Sequence, residues 1–169
     1  STPHAQVHHL RDGCPGGWRR AQAATAVLGS TFWGRTICWH HRTCDSTRTM
    51  TSQPSYSILI ANFNHAALVG RAVESALHQE YPSDLVEVIV VDDGSTDDSV
   101  ERLQAFVSHA RFHLISQENR GQSAAFAAGL KRATGDYVCL LDSDDRFLPN
   151  KLEAVSAHLE TLAAGSAPV

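Results

Sequence analysis

The sequence predicts an α/β protein. The expected architecture is a Rossmann-like open, mainly parallel sheet of about four strands with flanking helices, preceded by an irregular N-terminal segment. Three observations carry this. Between residues 56 and 162, four short apolar runs alternate with four amphipathic stretches, and strand–helix alternation builds parallel sheets through right-handed crossovers. The runs are continuous rather than alternating, which suits strands covered on both faces. Residues 1–50 have a different texture, with six arginines against Asp12 and Asp45, all three tryptophans and three of the four cysteines.

The first strand is expected at Ser57-Ile-Leu-Ile-Ala61. Residues 66–78 then place Leu68, Val69, Ala72, Val73, Ala76 and Leu77 on one helical face. Leu85-Val-Glu-Val-Ile-Val-Val91 is a stronger strand run, followed by a helix over 97–108 carrying Val100, Leu103, Phe106 and Val107. Ser95-Thr-Asp-Asp98 has the spacing of a capping box with Asp in place of Glu, and Asp97 and Asp98 read as turn and cap residues. Arg111-Phe-His-Leu-Ile115 is a weaker strand, and the helix over 121–133 is alanine-rich, with Phe126 and Leu130 four apart. Asp136-Tyr-Val-Cys-Leu-Leu141 is the fourth strand, in which Cys139 reads as a small buried hydrophobe. A last helix over 149–162 repeats Leu152, Val155, Leu159 and Leu162, with Pro149 suited to its first turn.

Composition sets the outer bounds. The chain has 169 residues, is 43% hydrophobic and 19% charged, and has a mean hydropathy of -0.20, which excludes a wholly disordered chain. A pI near 6.2 gives no support for a nucleic-acid partner. No stretch of 18 uninterrupted apolar residues is present, so no transmembrane helix is expected. The N-terminal 50 residues carry a net charge of +4 within a whole-chain charge of -4, so the remainder carries -8. Residues 1–54 read as an unassigned, poorly ordered leader. Cys38-Trp-His-His-Arg-Thr-Cys44 has zinc-ligand residue types without zinc spacing, and Arg19-Arg20 with the alanine-rich run after it is a poor signal peptide.

In an open parallel sheet, ligands bind outside the carboxyl ends of the strands. Here those ends are Ala61-Asn62-Phe63-Asn64-His65, Asp92-Asp93-Gly94-Ser95, Gln117-Glu118-Asn119-Arg120-Gly121 and Asp142-Ser143-Asp144-Asp145. Five aspartates thus share one edge. Like charges so placed require a counter-charge, protonation or solvent. A divalent cation answers that need, and oxygen ligands suit Mg²⁺ or Mn²⁺. In Asp142-x-Asp144 a straight strand would point both carboxylates to one side, and in the turn after the strand both could reach one ion able to bridge substrate phosphates. Phe63 offers an aromatic face for a base, and Asp93 an acceptor for a base N–H or ribose hydroxyl. Neither a dinucleotide fingerprint nor a P-loop is present. The plainer alternatives are that Asn64 is a turn residue, that Phe63 belongs to the core, and that Asp-Asp-Gly-Ser is only a turn and cap.

Over residues 55–162 the chain closely resembles the N-terminal, nucleotide-binding half of a family 2 glycosyltransferase of the GT-A fold. The resemblance is carried in order by Ser57-Ile-Leu-Ile-Ala-Asn-Phe-Asn64, Glu74-Ser-Ala-Leu-His-Gln79, Val90-Val-Asp-Asp-Gly-Ser-Thr-Asp97, Glu118-Asn-Arg-Gly121, Gly135-Asp-Tyr-Val138 and Leu140-Leu-Asp-Ser-Asp-Asp145 with Pro149. It implies that Ala61, Phe63 and Asn64 lie in the nucleobase segment, that Asp93 reads the base with Asp92 as its structural neighbour, and that Asp142 and Asp144 form the DxD motif. Asp144 is the better metal candidate, and Asp145 supports the sugar or the turn. The implied cofactor is Mn²⁺ or Mg²⁺. The implied partner is a nucleotide-diphosphate sugar, with a UDP-sugar favoured. The implied reaction is inverting transfer to a glycan, lipid or protein, in the cytoplasm or at the inner membrane face.

The chain departs from the family pattern at Phe63, where the usual Tyr hydroxyl is lost, and at Phe126-Ala127, where the family carries Arg or Phe followed by Asn. Inverting transfer also needs a base on the attacking hydroxyl. Residues 163–169 read as a tail, and no residue here is assigned the catalytic role, so the chain is expected to lack the acceptor and base half. The alternative to a transferase domain is a non-catalytic nucleotide-binding module. A phosphatase of the haloacid-dehalogenase type is disfavoured because Asp142-x-Asp144 comes too late in the chain.

Overall fold

In the computed structural model, residues 18–20, 38–41 and 53–165 are described, with side chains for 53–162. Six strands form one sheet: β1 (Trp18–Arg20), β2 (Cys38–His41), β3 (Tyr56–Asn62), β4 (Val86–Asp92), β5 (Phe112–Ser116) and β6 (Tyr137–Asp142), in the order β1-β2-β6-β3-β4-β5. The last four are mutually parallel, and each lies within about one residue of the run that predicts it. The two short strands β1 and β2 were not legible in the sequence. They join antiparallel to each other and to β6, with Cys38 opposite Cys139. Cys14, Cys44 and the apolar run after Arg20 lie outside the described residues, so the zinc and signal-peptide questions do as well.

The helices are α1 (Val69–Leu77), α2 (Ser99–Gln104), α3 (Gln122–Arg132) and α4 (Lys151–Gly165). Strand period two sorts the core onto two faces. Ile58, Ile60, Val88, Val90, Cys139 and Leu141 point toward Val69, Val73, Leu103 and Leu152, from α1, α2 and α4. Leu59, Ile89, Val91 and Val138 point the other way, toward Ala125 of α3. Both faces of β3 are therefore dry: Ile58, Leu59 and Ile60 are fully buried, and each such side chain contributes about 1.5–3 kcal/mol.

Helix α2 is shorter than its periodicity predicts. After Gln104 the chain tightens, with Phe106 N–H bonded to Leu103 O at 3.1 Å and Val107 N–H to Gln104 O at 3.2 Å. This turn sets the Phe106 ring 5.8 Å from that of Phe112 and leaves Val107 exposed. The expected capping box also differs. Ser95 is taken up elsewhere, and it is Asp97 Oδ1 that accepts the Ser99 N–H, at 3.0 Å, while Asp98 makes no side-chain cap.

The order of the parallel strands, read from β5, is third, second, first, fourth. The sense of winding reverses between β3 and β6. That is where an open sheet leaves a crevice at its carboxyl edge, and Ala61 lies opposite Asp142 there.

Two glycines test the packing. A Cβ on Gly135 would lie 2.6 Å from Ser57 N and 2.7 Å from Tyr56 C, against backbone that cannot move aside, whereas one on Gly70 in α1 would meet nothing within 4 Å. Gly135→Ala is expected to lower unfolding stability by about 1–3 kcal/mol. Gly70→Ala is expected to raise it by up to about 1 kcal/mol. Urea denaturation of the two variants measures both, and equal effects would contradict this packing.

Candidate functional site

The site is built on the loops that follow β3, β4, β5 and β6. Its floor is made by two buried carboxylates. Asp92, 1% exposed, accepts Asn62 Nδ2 at 2.8 Å and Ser95 Oγ at 2.6 Å on Oδ2, and the Ser95 N–H at 3.0 Å on Oδ1. Asp93, 3% exposed, accepts Gln117 Nε2 at 2.6 Å and the Arg120 N–H at 3.0 Å on Oδ1, and the Gly121 N–H at 2.7 Å on Oδ2. An ionised carboxylate has about four acceptor positions, so Asp93 keeps about one for a further donor. Burial pushes the Asp93 carboxyl up. The Arg120 N–H, the Gln117 amide, the Gly121 N–H and the Arg120 charge outweigh it, and the pKa lies below the ordinary value. Gly94 and Gly121 both adopt positive φ, at 76° and 83°. At Gly94 a side chain would also strike Asn119 N at 2.7 Å, so the loops after β4 and β5 meet backbone to backbone.

The loop after β3 is fastened to the same floor. Asn64, with φ 55°, donates its N–H to Ser95 Oγ at 2.9 Å and accepts the Thr96 N–H on Oδ1 at 2.7 Å. The turn reading of Asn64 is therefore the geometry it has. Ala66 N–H donates to Asp97 Oδ2 at 2.9 Å. Phe63 is not a core residue. It stands 43% exposed beside the crevice, while Ala61 is half-buried.

The loop after β6 is different in character. Asp142 and Asp144 are exposed, and Ser143 between them is 4% exposed. Asp142 is the last residue of β6, and Ser143 and Asp144 form a turn in which the Asp145 N–H donates to Asp142 O at 3.0 Å, so the straight-strand geometry ends at Asp142 and Asp144 is carried by the turn. Asp145 is half-buried, and burial, then the charges of Asp144 and Asp142, raise its carboxyl above the ordinary value. The five aspartates thus divide into two sets. Asp92 and Asp93 have most of their acceptor positions occupied by fixed donors, and the other three form the open acidic group. Among the described residues no three His, Cys, Asp or Glu side chains make a protein-only metal cage. The donor set that is present, two exposed carboxylates at a sheet edge, fits the Mg²⁺ habit of binding one or two carboxylates and completing its shell with water and phosphate.

Several residues that hold this loop escaped the sequence reading. His65 Nδ1 lies 2.6 Å from Ser143 Oγ. Ser75 Oγ accepts the Phe147 N–H at 3.1 Å, and Gln79 bonds Leu148 O at 2.9 Å and the Leu152 N–H at 3.2 Å. Asn62 links β3 to Asp92, and its Oδ1 has no partner among the described residues. Ser75 lies on α1 and Gln79 two residues beyond its end, and nothing in their local sequence points to partners some 70 residues onward.

The mainly parallel sheet thus carries an exposed aromatic, a buried acidic pair and an exposed acidic pair around its switch point. The family model described as "Glycosyl transferase family 2" matches residues 57–167, and the chain belongs to that family. It is 40% identical over 107 residues to an uncharacterized glycosyltransferase from Nostoc sp. (strain PCC 7120), covering 62% of this chain and 33% of that protein. It is 41% identical over 106 residues to a chondroitin synthase from Escherichia coli, covering 62% and 15%. Among solved structures it is similar to S. aureus TarS 1-349 in complex with UDP, with TM-score 0.59, 25% identity, and 63% and 32% of the two chains covered. It is also similar to a mannosyltransferase from Pyrobaculum calidifontis in complex with GDP-Man and Mn²⁺, with TM-score 0.57, 28% identity, and 63% and 32% covered. The chain thus spans about a third or less of the length of these relatives. No helix among the described residues is long and apolar enough to cross a membrane.

The Asp93 clamp makes a prediction about acid stability. Its folded carboxyl ionises more readily than the unfolded one. Its contribution is therefore fully present above the ordinary value of 3.8 and is lost as pH falls through the lower folded value. Asp93→Asn is expected to lower stability at neutral pH by about 1–3 kcal/mol and to flatten the acid limb of the stability profile. Parallel acid limbs in wild type and variant, followed by denaturant titration from pH 6 downward, would remove this role.

Proposed function

We propose that the chain is the donor-binding part of a glycosyltransferase, which holds a nucleotide-diphosphate sugar across the carboxyl ends of β3, β4 and β6 for inverting transfer. The observation that carries this reading is the placement of two exposed carboxylates, Asp142 and Asp144, at the end of β6 and in the turn after it, beside the switch point, with Phe63 exposed on the loop after the neighbouring β3. The ligands named for the similar structures, UDP in one and GDP-Man with Mn²⁺ in the other, support it.

In this reading Phe63 stacks on the base, and the remaining acceptor position of Asp93 takes a base N–H or a ribose hydroxyl. Ala61, half-buried, leaves room for the ring, and Asn64 fixes the backbone through which Phe63 is presented. Asp142 and Asp144 would hold Mn²⁺ or Mg²⁺, with Asp144 the principal ligand and Asp145 beside the sugar and phosphates. A bound divalent cation supplies charge neutralisation for the diphosphate as it leaves. The chain's own residues orient the donor. No described residue is given the role of general base, so deprotonation of the acceptor hydroxyl is assigned to none of them.

Titration calorimetry with UDP and with GDP, each with and without Mn²⁺, tests the reading. Nucleotide binding that strengthens with Mn²⁺ is expected, with UDP preferred. Asp144→Ala should weaken binding in Mn²⁺ at least about tenfold, the equivalent of about 1.4 kcal/mol. Phe63→Ala should weaken it about ten- to hundredfold through lost stacking. Unchanged affinity in Asp144→Ala would defeat the metal assignment. Donor hydrolysis or transfer by the 169-residue chain would exclude the purely non-catalytic alternative.

A further inference from the structure

We propose that His65 is a positioning residue for the acidic loop after β6, and that its hydrogen bond to Ser143 couples nucleotide binding to metal binding. This rests on the donor-site reading above and names how its two ends communicate.

The contact joins parts of the chain 78 residues apart, His65 Nδ1 to Ser143 Oγ at 2.6 Å. Ser143, 4% exposed, opens the turn after β6 that carries Asp144, while Asp142 is held by the β6 ladder opposite Ala61. Holding the Ser143 side chain therefore holds the turn that places Asp144 beside Asp142. His65 is in turn held firmly. Its carbonyl accepts the N–H groups of Leu68 and Val69, both at 2.9 Å, at the start of α1. The preceding residue, Asn64, is locked to Ser95 and Thr96, and Ser95 is locked to Asp92. A continuous series of hydrogen bonds and backbone thus runs from the buried Asp92 through Ser95, Asn64 and His65 to Ser143. Phe63 sits on the same loop, between Asn62 and Asn64. A base stacked on Phe63 and an ion held by Asp144 would thus bear on the two ends of one hydrogen-bonded series.

The second attachment of the acidic loop lies further on, where Ser75 and Gln79 hold Phe147, Leu148 and Leu152. Removing the His65 contact should therefore loosen the turn that carries Asp144 without detaching the segment that leads into α4. That predicts a selective effect. Metal-dependent strengthening of nucleotide binding falls, while the fold and the base contacts persist.

The experiment measures UDP affinity by calorimetry with and without Mn²⁺, and affinity for uridine, which carries no phosphates. In His65→Ala and in Ser143→Ala the strengthening by Mn²⁺ should fall roughly three- to tenfold, the effect of one hydrogen bond. Uridine affinity should not change, and the thermal midpoint should fall by several degrees at most, as the loss of one hydrogen bond requires. The double variant should be no worse than either single one, because both remove the same contact. His65→Asn, whose Nδ2 can occupy the place of Nδ1, should restore wild-type behaviour to within about twofold. Mn²⁺ dependence retained in His65→Ala, strictly additive losses, or failure of His65→Asn to restore would overturn the coupling while leaving the donor-site reading intact. No UDP binding by the wild-type chain would overturn the donor-site reading and this one with it.

Discussion

Two adjacent carboxylates buried at the end of β4 hold the rest of the site in place. Asp92 and Asp93 point to different partners, because successive residues at a strand end face opposite ways. Asp92 collects the loops after β3 and β4 through Asn62 and Ser95, and Asp93 collects the loop after β5 through Gln117 and two backbone N–H groups. A buried charge is tolerable only when its acceptor positions are filled by fixed donors. The requirement to satisfy these two side chains therefore dictates the path of three loops. The positive φ of Gly94 and Gly121 follows from it, since both allow the backbone to come close enough to donate or to pass.

Much of the fold was legible because the strands are dry on both faces and carry continuous runs, and because helical spacing survives in α1, α3 and α4. Where the reading missed, a tertiary demand had overridden a local one. Phe106 and Val107 keep helical spacing after Leu103, yet the chain abandons the helix so that Phe106 can meet Phe112. Ser95 has the look of a cap, but Asp92 and Asn64 claim its hydroxyl first. The short strands β1 and β2 carry no apolar run, and β2 joins the sheet by pairing with β6, which is far along the chain.

The site was legible in residue type and less so in grouping. Five aspartates at the strand ends read as one acidic cluster. Strand register, which no short motif displays, separates the satisfied pair from the open group. His65 and Gln79 stand in plain view beside recognised motifs, but their meaning lies in partners some 70 to 80 residues away. Family membership names the chemistry of the class, and the hydrogen bonds show how this chain orients its own acidic loop.

The position of β6 has a further consequence, for the order in which the protein is made. Strands β3, β4 and β5 are sequential neighbours and can pair as they leave the ribosome. The β3–β6 pairing joins Tyr56 to Tyr137 and must close a long intervening loop. Until that happens β3 is an edge, and the crevice between β3 and β6 does not exist. The crevice thus arises only once β6 is in place, and a nascent chain lacking β6 lacks the Asp142–Asp145 loop that borders it.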